Sequence, residues 1–176
     1  MDTPDYFQFF GLERKLALDA ADLEDRFHKL SRQLHPDRYA RATPAERERA
    51  LEASAVLNDA YRTLRDPVAR AEYVLKQQGT AESKAAPPQE LLNEVFELNM
   101  ALEELRGGDD SVRPQLEAAR ERFLALRREA DAALENLFRA HDESGPDSVY
   151  AKLRALLDRR KYIDNLVQQV ESELSR

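Results

Sequence analysis

Few residues in this chain have chemistry to offer. Histidine occurs three times, at His28, His35 and His141, and cysteine not at all. Thiolate catalysis, disulfides and cysteine-based zinc sites are therefore excluded. No two histidines have the close helical spacing of metal ligands, so neither a metal nor any other cofactor is expected. One short constellation stands out, His35-Pro36-Asp37. Its imidazole can donate and accept hydrogen bonds near neutral pH, and its proline holds φ near −65°. Three readings are open: an acid–base pair, a recognition tip for another protein, or an ordinary turn whose carboxylate caps the next segment. No nucleophile, metal set or phosphate loop accompanies the pair, so the chain is not expected to be an enzyme.

Two further groupings bear on binding. Arg26, Lys29 and Arg32 precede the tripeptide at three-residue steps, a cationic stripe that would speed encounter with an acidic partner. Further on, Leu91, Val95, Leu98, Leu102 and Leu105 recur at the spacing of a packing seam. Beside them Leu92, Phe96 and Met100 form a second row on a neighbouring face, flanked by Glu97, Glu103 and Glu104. No Lys or Arg occurs from Gln89 to Leu105. An apolar row edged by one sign of charge suits a protein-binding patch. The alternative is that it merely widens the core stripe.

The elements that position these groups are all helical. A short aromatic turn, Tyr6 to Phe10, stops at Gly11 and is expected to clamp two longer helices. The first of these starts with Asp19 as N-cap and carries Leu23, Phe27, Leu30 and Leu34 on one face. It must end near His35, because Pro36 pushes the preceding residue out of helical geometry. A loop then leads to Thr43, Pro44 and Glu46, the signature of a capping box with proline at the first helical position. Ala50, Ser54, Leu57, Tyr61 and Leu64 supply the seam of that next helix, and Asp66-Pro67 restarts the chain into a last short one. The tripeptide thus lies at the tip of an antiparallel hairpin. Residues 79–88 lack periodicity and read as a linker. Three long helical patterns follow, punctuated by Gly107-Gly108 and Ser144-Gly145-Pro146. The middle one repeats Leu116, Ala119, Phe123, Leu126, Ala130, Ala133 and Leu137; the last repeats Tyr150, Leu153, Leu157, Leu166 and Val170. Short connections favour a three-helix bundle. The expectation is an all-α chain with domains at 1–78 and 89–176.

Composition agrees. The chain has 176 residues, 35% of them charged, only five glycines and a net charge of −7. Residues 1–79 hold 13 Lys/Arg against 14 Asp/Glu, while the remainder hold 14 against 20. Acidity in the second half disfavours nucleic acid. No apolar run approaches the roughly 20 residues that span a bilayer, so no membrane partner is expected. With no leader pattern ahead of the aromatic turn, a cytoplasmic location is the simplest expectation.

Taken together, Asp5-Tyr6-Phe7, Phe10-Gly11-Leu12, His35-Pro36-Asp37-Arg38 and Asn58 through Leu64 resemble a J-domain. Asp66-Pro67, Arg70-Ala71-Glu72-Tyr73 and the acidic helix at Glu97-Leu98 make the chain more closely similar to the HscB family of iron–sulfur co-chaperones. That resemblance implies docking to a DnaK-class ATPase, of which HscA is the specialised form, through His35, Pro36, Asp37, Arg26, Lys29 and Arg32. It also implies delivery of the scaffold protein IscU, held by Leu92, Asn93, Phe96, Glu97, Met100, Glu104 and, from the last helix, Tyr162. Asn93 departs from the family pattern, where an apolar residue is usual, and Met100 stands where an acid is usual. A general J-domain co-chaperone with another client is the alternative.

Overall fold

Side-chain caps decide where the N-terminal helices begin. The computed structural model describes residues 4–80, 88–144 and 149–175. In it Asp5 caps α1 (Tyr6–Phe10), Asp19 caps α2 (Ala20–Leu34), Thr43 caps α3 (Pro44–Arg65) and Asp66 caps α4 (Pro67–Gln77). Each side chain accepts from an N–H that no helical carbonyl can reach. The expected capping box is present: Thr43 Oγ1 accepts from Glu46 N, and Glu46 Oε2 accepts from Thr43 N at 2.8 Å. The Thr43 hydroxyl, which donates to Glu46 Oε2 at 2.7 Å, and the Thr43 backbone N–H together hold the Glu46 carboxyl below its ordinary pKa of 4.5. α1 closes on Gly11, whose φ of 63° favours glycine.

α2 and α3 form the hairpin. Leu23 from α2 and Ala50, Leu57, Ala60 and Leu64 from α3 are buried, and Phe27 stacks on Tyr61 with centroids 4.1 Å apart. Phe7 and Phe10 lie in the same core, as the aromatic pattern predicts. Tyr6 does not clamp the hairpin. It stacks on Tyr73 of α4 at 4.6 Å, and its backbone N–H donates to the Tyr73 hydroxyl at 2.9 Å. The bond gives the Tyr73 hydroxyl a donor and occupies an N–H at the start of α1 that no helical carbonyl can reach.

The second half packs three helices, α5 (Leu92–Arg106), α6 (Arg113–Ser144) and α7 (Tyr150–Leu174). Single 3-10 turns, Gln89–Leu91 and Asp110–Val112, lead into α5 and α6. Leu91, Leu98 and Leu102 meet Leu116 and Phe123 of α6 and Ile163, Leu166 and Val170 of α7 in one core. Polar contacts give the directions. Arg127 pairs with Asp164 and Asp131 with Arg160, so numbers rise on α6 as they fall on α7, the antiparallel case. Glu90 pairs with Arg159 and Arg106 with Glu173, offsets of 69 and 67 residues, so α5 and α7 run parallel.

One packing stripe departs from expectation. Leu116, Phe123 and Ala130 of α6 are buried as predicted, but further along Leu134 and Phe138 are buried while Ala133 and Leu137 are only half-buried. A straight helix drifts by about 20° per heptad against a 3.5-residue repeat. Three heptads accumulate about 60°, enough that the residue after each heptad position lies nearer the core.

The chain divides into two units, Met1–Gly79 with His141–Glu143, and the remainder. The first therefore includes Gly79 and the three residues His141–Glu143 besides the expected 1–78. Within it the Asp142 carboxylate accepts from the backbone N–H groups of Leu16 and Ala17, both at 2.9 Å. Most of the expected linker, residues 81–87, and the break at Gly145-Pro146 lie outside the described residues. Among the described residues no strand occurs, and no helix is long and apolar enough to cross a membrane.

Candidate functional site

The tripeptide stands where α2 gives way to α3. His35 terminates α2 with φ −59° and ψ 131°, the extended geometry that a following proline enforces. Residues Pro36–Tyr39, expected as plain loop, form a single 3-10 turn. His35 Nδ1 accepts from Asp37 N at 3.3 Å and lies 3.5 Å from Asp37 Oδ2. The imidazole thus caps the turn, and the neutral ring that accepts at Nδ1 carries its proton on Nε2. The Asp37 side chain is 90% exposed. Among the described residues its carboxylate accepts no backbone N–H, which removes the reading of Asp37 as a turn cap. What remains is an ionisable group held out to solvent on a short, restrained turn.

The three cations divide. Lys29 and Arg32 are exposed on α2. Arg26 is half-buried and committed within the fold: its Nε donates to Asp22, and its Nη1 donates to the carbonyls of Phe10 at 3.2 Å and Gly11 at 2.9 Å. It closes the C-terminal end of α1. Sequence spacing cannot reveal this, because the bonded carbonyls lie 15 and 16 residues away. Spacing alone also passed over Leu51, which follows buried Ala50 on α3 and is 67% exposed.

On α5 the two rows separate as drawn. Leu91, Leu98 and Leu102 are buried, while Leu92, Phe96 and Met100 are 47%, 65% and 49% exposed. The second row therefore does not widen the core. Asn93, Glu97 and Glu104 are exposed beside it. Glu94 and Glu90 are neutralised by Arg122 and Arg159 from α6 and α7, whereas Glu97, Glu103 and Glu104 form no ion pair among the described residues. Tyr162 is half-buried against the bundle core. The parallel register of α5 and α7 sets it at the level of Asn93.

Comparison with known proteins follows this division. The model of the DnaJ domain matches residues 5–73, and that of the HSCB C-terminal oligomerisation domain matches residues 87–171. The co-chaperone protein HscB homolog of Bordetella petrii is 40% identical over 121 residues, 67% of this chain and 71% of the relative. The chain belongs to the HscB family. The homolog of Bordetella avium is 39% identical over 132 residues, covering 71% of this chain and 78% of that one. Among solved structures, chaperone HscB from Vibrio cholerae superposes with a TM-score of 0.67 at 30% identity, covering 96% of both chains. Human co-chaperone HscB shares the fold with a TM-score of 0.71 at 23% identity, covering 98% of this chain and 83% of that one. Family membership makes this an HscB-type co-chaperone with a J-domain; it leaves the work of individual residues to be argued from the surfaces just described.

Proposed function

We propose that this protein activates ATP hydrolysis by a DnaK-class chaperone of the HscA type and delivers to it an IscU-type iron–sulfur scaffold. The observation that carries the reading is the exposure of Asp37 at the tip of a capped hairpin. An ionised carboxylate so placed suits a charge-assisted bond to a cation of the ATPase. The His35 cap and the fixed φ of Pro36 restrain the turn beforehand, so less entropy is lost on docking. Lys29 and Arg32 steer the approach, and Arg26 contributes by holding α1 against α2. The client rests on Leu92, Asn93, Phe96, Glu97, Met100 and Glu104, with Tyr162 at the level of Asn93. Without a cysteine, the chain offers no thiolate to a cluster. Joining client and ATPase on one chain raises the effective concentration of each beside the other. The proposed setting is the cytoplasm.

The test is the single-turnover ATPase rate of the purified chaperone with and without this protein and the scaffold, in all four combinations. Asp37→Asn is expected to abolish stimulation while leaving the melting curve and scaffold binding intact. Full stimulation by that variant would sink the mechanism. Asn93 and Met100 favour keeping a second reading, a J-domain co-chaperone with another client, since both depart from the family pattern at the client surface. Failure of the purified scaffold to bind, with ATPase stimulation retained, selects it.

A further inference from the structure

Where α6 runs beside α5, a groove of about 240 Å³ stays open between the two helices. Buried Leu98, Ala101 and Phe123 line its floor, and exposed Glu97, Gln115 and Ala118 stand on its rim. Alanine ends at its Cβ, so Ala101 and Ala118 leave space that longer side chains would fill. The volume falls below the roughly 300 Å³ at which small-molecule pockets begin. It suits a single apolar side chain of another protein. The rim also sets a charge. Arg122, its cation, is neutralised by Glu94, which lines the groove as well. Glu97 keeps a carboxylate with no ion pair among the described residues. A side chain entering here is therefore matched best when a cation flanks it.

We infer that the α5–α6 groove receives an apolar side chain of the scaffold client, presented beside a lysine or arginine. The inference rests on the reading of α5 as the client helix: Glu97 belongs both to the proposed client surface and to the groove, so the two are continuous. It adds residues of α6, Gln115 and Ala118, to a surface otherwise drawn from α5 and α7. The row of Leu92, Phe96 and Met100 offers a convex apolar face, and a convex face alone leaves a partner free to slide along it. A side chain seated in a recess beside that row fixes the register and supplies the packed, desolvated contact typical of interface hot spots. The acidic rim disfavours clients that bring a carboxylate to the same place.

The experiment is titration calorimetry of the full-length protein with a purified IscU-type scaffold, comparing the parent with Ala118→Gln, Gln115→Lys, Gln115→Glu and Phe96→Ala. Glutamine has good helix propensity and position 118 is exposed, so the fold is kept, which circular dichroism melts check. Ala118→Gln, by filling the mouth of the groove, is expected to raise Kd about tenfold. Gln115→Lys is expected to raise Kd about threefold and Gln115→Glu to lower it about threefold, a difference that shrinks as salt rises. The two charge variants decide the matter should Ala118→Gln fail to fold. Parent-like Kd in all three groove variants, with Phe96→Ala weakened, overturns this inference and leaves the client helix standing. Parent-like Kd in Phe96→Ala as well overturns both together. Sedimentation separates the remaining occupant: if Ala118→Gln dissolves a dimer of this chain with scaffold Kd unchanged, the groove serves a second copy and the inference fails.

Discussion

Phe96 offers the sharpest test of the division between the two faces of α5. A phenylalanine carries roughly 200 Å² of surface. At 65% exposure about 130 Å² remains for a partner to cover, and alanine would keep about a third of it. Losing about 90 Å² at roughly 25 cal/mol per Å² costs about 2 kcal/mol of binding, near thirtyfold in Kd. Because so little of the ring is buried within the fold, Phe96→Ala is expected to change stability by no more than about 0.5 kcal/mol. Phe123, on α6 and 1% exposed, is the contrast: its replacement by alanine is expected to cost about 3–5 kcal/mol of folding free energy. Isothermal titration against purified IscU-type scaffold, paired with urea unfolding, measures both quantities on the same preparations. The reasoning is refuted if Phe96→Ala unfolds the bundle as Phe123→Ala does, or if it folds normally and binds the scaffold as tightly as the parent.

Other outcomes follow from the N-terminal unit. Arg26→Ala, by freeing the carbonyls of Phe10 and Gly11, is expected to lower stability by about 1–2 kcal/mol in urea. Lys29→Ala and Arg32→Ala should leave stability within about 0.5 kcal/mol and slow chaperone activation chiefly at low salt. Glu46 is held below its ordinary pKa of 4.5 by its bonds to Thr43, so its ionised form favours the folded state. That contribution is present above pH 4.5 and is lost as pH falls through the depressed folded value. Glu46→Gln should therefore melt below the parent at neutral pH and converge with it in acid; a constant gap at every pH contradicts the assignment.

Helix starts were legible in the sequence because caps are local. Asp19, Thr43 and Asp66 each act on an N–H within three residues, and each works where its type and the downstream pattern place it. The hidden apolar rows of α5 were legible for a similar reason: two registers one residue apart cannot both face one core. The misjudged positions all answer to distant partners. Arg26 reads as a surface cation until the end of α1 folds back beside it. Tyr6 reads as core until Tyr73 offers a hydroxyl and a parallel ring. The inward face of α6 slips from Ala133 to Leu134 only because drift accumulates over the whole helix. Asp142, which accepts from two N–H groups more than a hundred residues earlier, leaves no local signature.

At the start of α5, adjacent positions Leu91 and Leu92 begin two rows with different employers, one answering to the bundle and one facing solvent. Substitutions along the outer row can reshape the choice of cargo while the inner row keeps the helix seated. Asn93 and Met100 both sit on exposed ground, so on the proposed reading a change of recognition there would cost the fold little. A helix written in two registers lets a lineage revise its clientele without rebuilding its architecture.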